Sequence, residues 1–289
     1  MPITRRKLLK NIWLGCLWGG AASFVDAFAV EPNIIIVNNV DLPIKNLPAA
    51  FAGKTIGHIS DLHCGSCASQ SYLLGAVRKL NSLTPDIVIL TGDYTSKYDK
   101  KDYFHLLPDV FSAIKAPLGV FACLGNHEYG LSFTSNRGIL PLTREALNKG
   151  GAVLLQNSSY KLNIDGQSIY IVGMGDDSRW DCKPADAFSG LDGSAAKIVI
   201  AHSPDCIRRL GGFDYDAFLC GHTHGGQVCA PIFGPIHVPT KDKRFKKGQY
   251  SYEGRFVYVN SGLATMPTRY PGPRFLCPPE ITFYTLRGV

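Results

Sequence analysis

Short apolar runs recur along the chain, each bounded by turn-forming residues, at 55–60, 86–90, 120–124, 197–201 and 217–220. Runs this brief, dense in Ile and Val and stopped by Gly, Pro, Asp or His, predict strands buried on both faces. A further Ile- and Val-rich run opens the series at 34–40, and signals at 168–173 and 255–260 suggest a second sheet. Between several of these lie stretches with apolar residues at helical spacing, at 71–83, 103–114 and 142–149. Strands alternating with helices predict an α/β layered fold with buried sheets. No internal repeat or low-complexity linker interrupts the series.

The polar residues that follow the runs carry the chemistry. The first leads into Asp61 and His63, the second into Asp93, the third into Asn126, His127 and Glu128, the fourth into His202, and the fifth into His222 and His224. In open α/β sheets ligands gather beyond the carboxyl ends of strands, so five separated segments are expected to deliver these side chains to one place. Carboxylate, imidazole and amide oxygen suit divalent metals of hard to borderline character. Asp61 with His63, and His222 with His224, each have i, i+2 spacing, which in extended chain puts both side chains on one face. Two such pairs plus a carboxylate able to bridge would make a two-metal site. Each fragment alone has an ordinary reading as a surface loop, a turn or a satisfied histidine pair; the conjunction at successive strand ends does not.

This ordered set resembles the calcineurin-like metallophosphoesterase superfamily, whose pattern is D-x-H, G-D, G-N-H-[DE], H and G-H-x-H. Finer features, among them Ala201-His202-Ser203-Pro204-Asp205 and Gly221-His222-Thr223-His224-Gly225-Gly226-Gln227, are similar to the YaeI/YkuE-like bacterial phosphodiesterase branch. The resemblance covers residues 34 to 289 and implies an α/β/β/α sandwich with its active site at the strand carboxyl ends. It implies that Asp61, His63 and His224 hold one divalent metal ion, that Asn126, His202 and His222 hold a second, and that Asp93 bridges them. His127 would be the catalytic residue, facing the substrate as general acid or charge stabiliser. The cofactors would be two ions of Mn, Zn or Fe. Such a pair clamps a phosphoryl group and generates a hydroxide nucleophile near neutral pH. Glu128 is expected to open a helix, where the dipole favours a carboxylate. One departure stands out: where many relatives carry Arg-Gly-x-Gly after the last strand, this chain reads Asn260-Ser261-Gly262-Leu263-Ala264, so that the basic contact near the site is either absent or supplied by Arg269 or Arg274.

The amino terminus adds a separate element. A cationic start holding Arg5, Arg6, Lys7 and Lys10 precedes an apolar run at 12–25 and Ala27-Phe28-Ala29. That order describes a secretory signal, and Thr4-Arg5-Arg6-Lys7-Leu8-Leu9-Lys10 is twin-arginine-like. Residues 1–29 are therefore expected to be a signal peptide or membrane anchor, and 30–289 the metallophosphoesterase domain. The protein would be exported or membrane-associated in the periplasm or cell envelope, or would lie on the cytoplasmic face if the leader stays uncleaved.

Composition refines the picture only slightly. With 45% hydrophobic and 18% charged residues in a chain of 289, disorder, collagen and long coiled coil are excluded. The net charge of +7, part of it in the run 241–247, fits an anionic substrate or surface. Nucleic acid is not expected as a partner, because the interleaved basic and aromatic stripe of a strand-binding protein is missing. Cys64-Gly65-Ser66-Cys67 is a lone C-x-x-C, expected to be a structural loop, with a redox role as the alternative. The leading function is a phosphodiesterase on a small-molecule or lipid-linked, envelope substrate. The alternatives are a UDP-2,3-diacylglucosamine pyrophosphatase of lipid A biosynthesis, for which Tyr129, Leu131 and Phe133 would offer an apolar mouth, and a non-catalytic metal-binding protein on the same scaffold.

Overall fold

The computed structural model describes residues 18–96, 103–130, 139–266 and 272–289. Two six-stranded sheets form its centre. The first contains β1 (Ile36–Ile44), β2 (Thr55–Ile59), β3 (Ile87–Leu90), β4 (Val120–Ala122), β5 (Val153–Leu154) and β14 (Glu280–Gly288), in the order β1-β14-β2-β3-β4-β5. The second contains β6 (Ser158–Ile164), β7 (Gln167–Gly173), β8 (Lys197–Ile200), β9 (Ala217–Cys220), β12 (Gly248–Tyr252) and β13 (Arg255–Val259), in the order β12-β13-β9-β8-β7-β6. A two-stranded hairpin, β10 (Cys229–Ala230) with β11 (Gly234–Pro235), stands apart from both.

The alternation within β3 shows why the runs read as continuously apolar. Ile87 and Ile89 face the second sheet, packing with Ile169, Ile171, Ile198 and Leu219. Val88 and Leu90 point the other way, among Leu73, Val77 and Leu80 of the helix Gln70–Ser82 and Phe111 of Leu107–Ser112. The far face of the second sheet, with Val172, Val199, Phe218 and Val257, is covered by short helical turns at Pro184–Ala187 and Pro204–Arg209. The layers are therefore helix, sheet, sheet, helix, as the sequence pattern and the resemblance imply.

Three details differ from the sequence expectation. The helix expected at 103–114 is a 3-10 turn, Phe104–Leu106, followed by the helix Leu107–Ser112, because Pro108 fits only the first turn of an α-helix. The first strand begins at Ile36 and runs on to Ile44; it is an edge strand, so Asn38, Asn39 and Asp41 are tolerated. The segment Glu280–Gly288 is a strand that enters between β1 and β2, parallel to the first and antiparallel to the second.

The amino-terminal segment is docked onto this body. A helical stretch at 18–25 leads into a π-helical turn, Asp26–Val30. Ala27 is buried and its carbonyl accepts the Arg274 N–H at 2.9 Å. Glu31, also buried, accepts the backbone N–H groups of Leu276 and Cys277. Among the described residues no helix is long and apolar enough to cross a membrane. Arg5, Arg6 and the rest of the twin-arginine-like start lie outside the described residues.

Candidate metal centre

Adjacent loops carry the side chains beyond β2, β3, β4, β8 and β9, and backbone hydrogen bonds tie those loops together. Asp61 N donates to Gly92 O at 3.1 Å, His63 N to Asp93 O at 2.9 Å, and Gly221 N to His202 O at 2.9 Å. Two glycines permit this closeness. A methyl group at Gly125 would strike the Asp93 carboxylate, and one at Gly221 would strike the side chains of Ser60 and Asp61. Asp61, His63, Asp93, His222 and His224 all hold positive φ, between 38° and 70°. That backbone costs on the order of 1–3 kcal/mol per residue and persists where the surroundings over-determine it. Five of the seven metal-ligand candidates are thus aimed by strained backbone rather than by side-chain choice.

All eight candidate residues meet, in three overlapping clusters whose ligand atoms lie within 4.8 Å of one another: Asp61, His63 and His224; His63, Asp93 and His127; and Asp93, His202 and His222. Asn126 joins the last, with its Oδ1 3.2 Å from His202 Nε2. Asp93 lies between the others. Its Oδ2 is 3.1 Å from His202 Nε2, 3.7 Å from His63 Nε2 and 3.9 Å from His127 Nε2.

The deep part consists of Asp61, His63 and His224, all buried. His63 Nε2 and His224 Nε2 face each other at 3.2 Å, and Asp61 Oδ1 is 3.3 Å from the latter. Burial pushes His224 down to about 3 and His63 below its usual range, against the pull of nearby carboxylates. The outer part consists of Asn126, His202 and a half-buried His222, whose Nδ1 is 3.0 Å from His202 Nε2. Burial alone would lower His202, but the Asp93 carboxylate overrides it and pushes this imidazole up to about 10. Burial also works against the charge of Asp93, yet the surrounding imidazoles, His127 and His202 foremost, hold its carboxyl well below the usual range.

The outward atoms of these groups are already held. His202 Nδ1 donates to Thr91 O at 2.7 Å, His224 Nδ1 to Ala264 O at 3.0 Å, and His222 Nε2 to Pro239 O at 3.2 Å. In a neutral ring each such bond leaves the opposite nitrogen as a lone pair aimed inward, the usual way a protein fixes the tautomer of a ligating histidine; on His202 the Asp93 carboxylate instead holds a proton at that nitrogen. Asp61 Oδ2 accepts from Ser60 Oγ at 2.6 Å and from His222 N at 3.0 Å, while its Oδ1 is buried without a hydrogen-bond donor. An orphaned carboxylate oxygen beside two facing imidazole nitrogens fits a divalent cation of the kind bound by N and O donors.

The structure alters several expectations. Glu128 opens no helix, since 126–129 is a turn. It is fully buried, and its carboxylate accepts from Gly125 N at 2.7 Å, Asp93 N at 2.9 Å and Tyr94 N at 2.9 Å, stapling one ligand loop to another. Burial, then the charge of Asp93, pushes it up to about 8. Only its place directly after His127, in a loop between two buried strands, hinted at this. Arg274 is no substrate contact: it is buried, and its guanidinium donates to the carbonyls of Ser261, Gly262, Ala264 and Cys277. It clamps the loop that departs from the Arg-Gly-x-Gly pattern. Tyr129 is tied inward by a 2.6 Å bond to Asp181 and forms no open apolar mouth. Leu131, Phe133 and Arg269 lie outside the described residues. Cys64 is buried, with its backbone paired to Tyr94.

Histidine- and aspartate-lined clusters at the strand ends of a four-layer sandwich define a metal-dependent hydrolase of phosphoric esters. The family model for calcineurin-like phosphoesterase matches residues 54–226, and the chain belongs to that family. It is 28% identical to the uncharacterised metallophosphoesterase YkuE of Bacillus subtilis, over 99% of this chain and 98% of that one. It is 30% identical to the phosphodiesterase YaeI of Escherichia coli, over 79% and 80%. It is also 30% identical to the UDP-2,3-diacylglucosamine pyrophosphatase LpxG of Chlamydia trachomatis, over 90% and 91%.

Proposed function

We propose that the protein is a dimetal phosphodiesterase acting on a small-molecule or lipid-linked diester. The observation that carries this reading is the position of Asp93 Oδ2, within 3.1–3.9 Å of imidazole nitrogens from both parts of the centre. Asp61, His63 and His224 would hold one divalent ion; Asn126, His202 and His222 would hold the other; Asp93 would serve both. When bound, such a pair supplies Lewis acidity at the phosphoryl group and a hydroxide nucleophile near neutral pH. Mn, Zn and Fe all suit this donor set.

The remaining work falls to the chain itself. His127 presents Nε2 3.9 Å from Asp93 Oδ2 while its backbone N–H donates to Asp93 Oδ1 at 2.9 Å, which holds the segment that carries it against the centre; in this reading it is not a ligand. It delivers a proton, or positive charge, to the leaving oxygen. Glu128 and Ser60 keep the ligand carboxylates oriented. A non-catalytic metal-binding protein would have no use for a histidine so placed. The similarity to LpxG supports a second reading, a pyrophosphatase on a nucleotide-linked lipid, which differs only in the P–O bond that is cut. An amino-terminal leader that exports the chain would suit an envelope diester, and one that stays uncleaved on the cytoplasmic face would suit a nucleotide-linked lipid.

The test is metal analysis of the purified full chain alongside turnover of bis-p-nitrophenyl phosphate, p-nitrophenyl phosphate and UDP-2,3-diacylglucosamine. Two equivalents of metal with diester turnover exceeding monoester turnover are expected. Preference for the UDP-linked lipid would select the second reading, and metal without hydrolysis of any of the three would sink both.

A further inference from the structure

The hairpin formed by β10 and β11 carries at its tip the two most exposed large apolar side chains among the described residues, Ile232 at 102% and Phe233 at 84%, with Ile236 also exposed. A lone exposed apolar residue is ordinary; three on one six-residue tip are not. The backbone holds them out at a cost. Phe233 N donates to Pro231 O at 2.8 Å across Ile232, whose φ is 71°. This is the rare γ-turn form, with a β-branched residue in the left-handed region where such residues are seldom found. Among the described residues no packing offsets that strain, since the side chains it presents are exposed.

A basic collar lies behind the tip. Lys243 Nζ donates to Val238 O at 2.7 Å, and Lys247 Nζ to Leu276 O at 3.3 Å while reaching Cys229 Sγ at 3.6 Å. Lys241 is exposed, and the run that carries it is pinned by Asp205, which accepts the backbone N–H groups of Lys241 and Asp242. The one acidic residue in the run, Asp242, is taken up by Arg244 at 2.6 Å. Among the described residues no carboxylate takes up the charge of Lys241 or Lys243, while Lys247 stands beside the Cys229 sulfur. Pro231 and Pro235 remove N–H donors from the hairpin, which makes it a poor edge for strand addition by another chain.

From this arrangement we infer that the 229–238 hairpin is a membrane-docking finger that seats its Ile232–Phe233 tip in the interface of an anionic phospholipid bilayer, with the lysine collar at the level of the phosphates. Apolar side chains sink below the headgroups while ammonium groups stay among them, so the order of tip and collar matches the order of layers at such a surface. Position supports it further. The 274–275 backbone runs between Gln227 and Cys229 on one side and Ala27 on the other, which links the finger to the helical stretch that exposes Trp18 and Phe24. The finger also grows from the centre itself: Val228 N donates to Gly226 O at 2.6 Å, two residues from His224, and Pro239 O holds His222. Docking would bring the outer part of the centre to the bilayer surface. That consequence rests on the proposed phosphodiesterase reading; docking itself does not.

The experiment is hydrogen exchange on the full chain, alone and with phosphatidylcholine vesicles made with or without phosphatidylglycerol. Amides of 229–238 are expected to exchange at least about tenfold more slowly with the anionic vesicles, and at their free rate with phosphatidylcholine alone. The double variant Ile232→Ser, Phe233→Ser should lose that local protection and lower vesicle affinity at least about tenfold, with bis-p-nitrophenyl phosphate turnover unchanged. Equal exchange with and without vesicles would overturn the inference. So would protection that grows with protein concentration in the absence of lipid, because a second copy would then be covering the tip. Failure of the phosphodiesterase reading would instead appear as wild-type chain that turns over no soluble diester while its hairpin remains protected by vesicles.

Discussion

The two parts of the centre each pair two imidazoles with one oxygen donor, Asp61 in the deep part and Asn126 in the outer, under different physical conditions. In the deep part, burial has already driven the protons off His63 and His224, so both imidazoles are neutral at physiological pH before any cation arrives. In the outer part, Asp93 keeps a proton on His202 up to about pH 10. A cation entering the deep part displaces no proton from its histidines; one entering the outer part must displace the proton of His202. The outer part is also the more open, through half-buried His222. The difference teaches that the two halves of the candidate centre are unequal: one is buried with neutral imidazoles, the other is more open and holds a proton.

Four measurements would break or sharpen this contrast. Asp93→Asn acts on both parts at once. It should lose bound metal and slow diester hydrolysis by more than the about 10³-fold that follows removal of a single stabilising contact; normal turnover would show that Asp93 is not shared. His127→Ala touches neither ligand set. Full metal content with hydrolysis slowed by about 10²–10⁴-fold is the expected result, and loss of metal would make His127 a ligand instead. Glu128→Gln attacks the link between the loops. An amide replaces one of the two oxygens that receive these backbone N–H groups with a second donor, so unfolding free energy should fall by about 1–3 kcal/mol, with both cations bound more weakly. An unchanged denaturation midpoint would argue that the staple is dispensable.

The smallest effect is the most discriminating. A His202 proton with a folded pKa near 10 is present throughout the pH range 6–8 and must leave when its nitrogen ligates. Affinity for the more weakly held cation should therefore rise about tenfold per pH unit across that window, while the tightly held one stays flat. Calorimetric titration in buffers of different ionisation enthalpy would count the released proton. Equal pH slopes at both positions would erase the distinction drawn above.

Much of the centre was legible beforehand because ligand chemistry is local. Asp61, His63, Asp93, Asn126, His127, His202, His222 and His224 each follow a run of buried-strand composition and so lie beyond a strand's carboxyl end, while the aim of five of them is set by positive-φ backbone that only the folded surroundings maintain. The glycines beside them, Gly92, Gly125 and Gly221, were equally visible as parts of motifs. Glu128 was misread because its place, directly after a motif, suits a helix start as well as a staple; only the three converging N–H groups decide. Arg274 is ambiguous in the sequence because a guanidinium can face substrate or saturate carbonyls, and the choice depends on a loop that closes over it from 261–264.

What the sequence by itself determined was the set of candidate metal-binding residues, the strands that lead into them and the layered α/β class, since composition and period act within a few residues. Tertiary structure alone decided the insertion of Glu280–Gly288 between β1 and β2, the unequal burial of the two halves, the opposite proton affinities of His224 and His202, and the bare tip at Ile232. Each of these depends on which distant segments share a dielectric environment or a surface. Such distances are set by strand order, and strand order leaves no trace in any short stretch of chain.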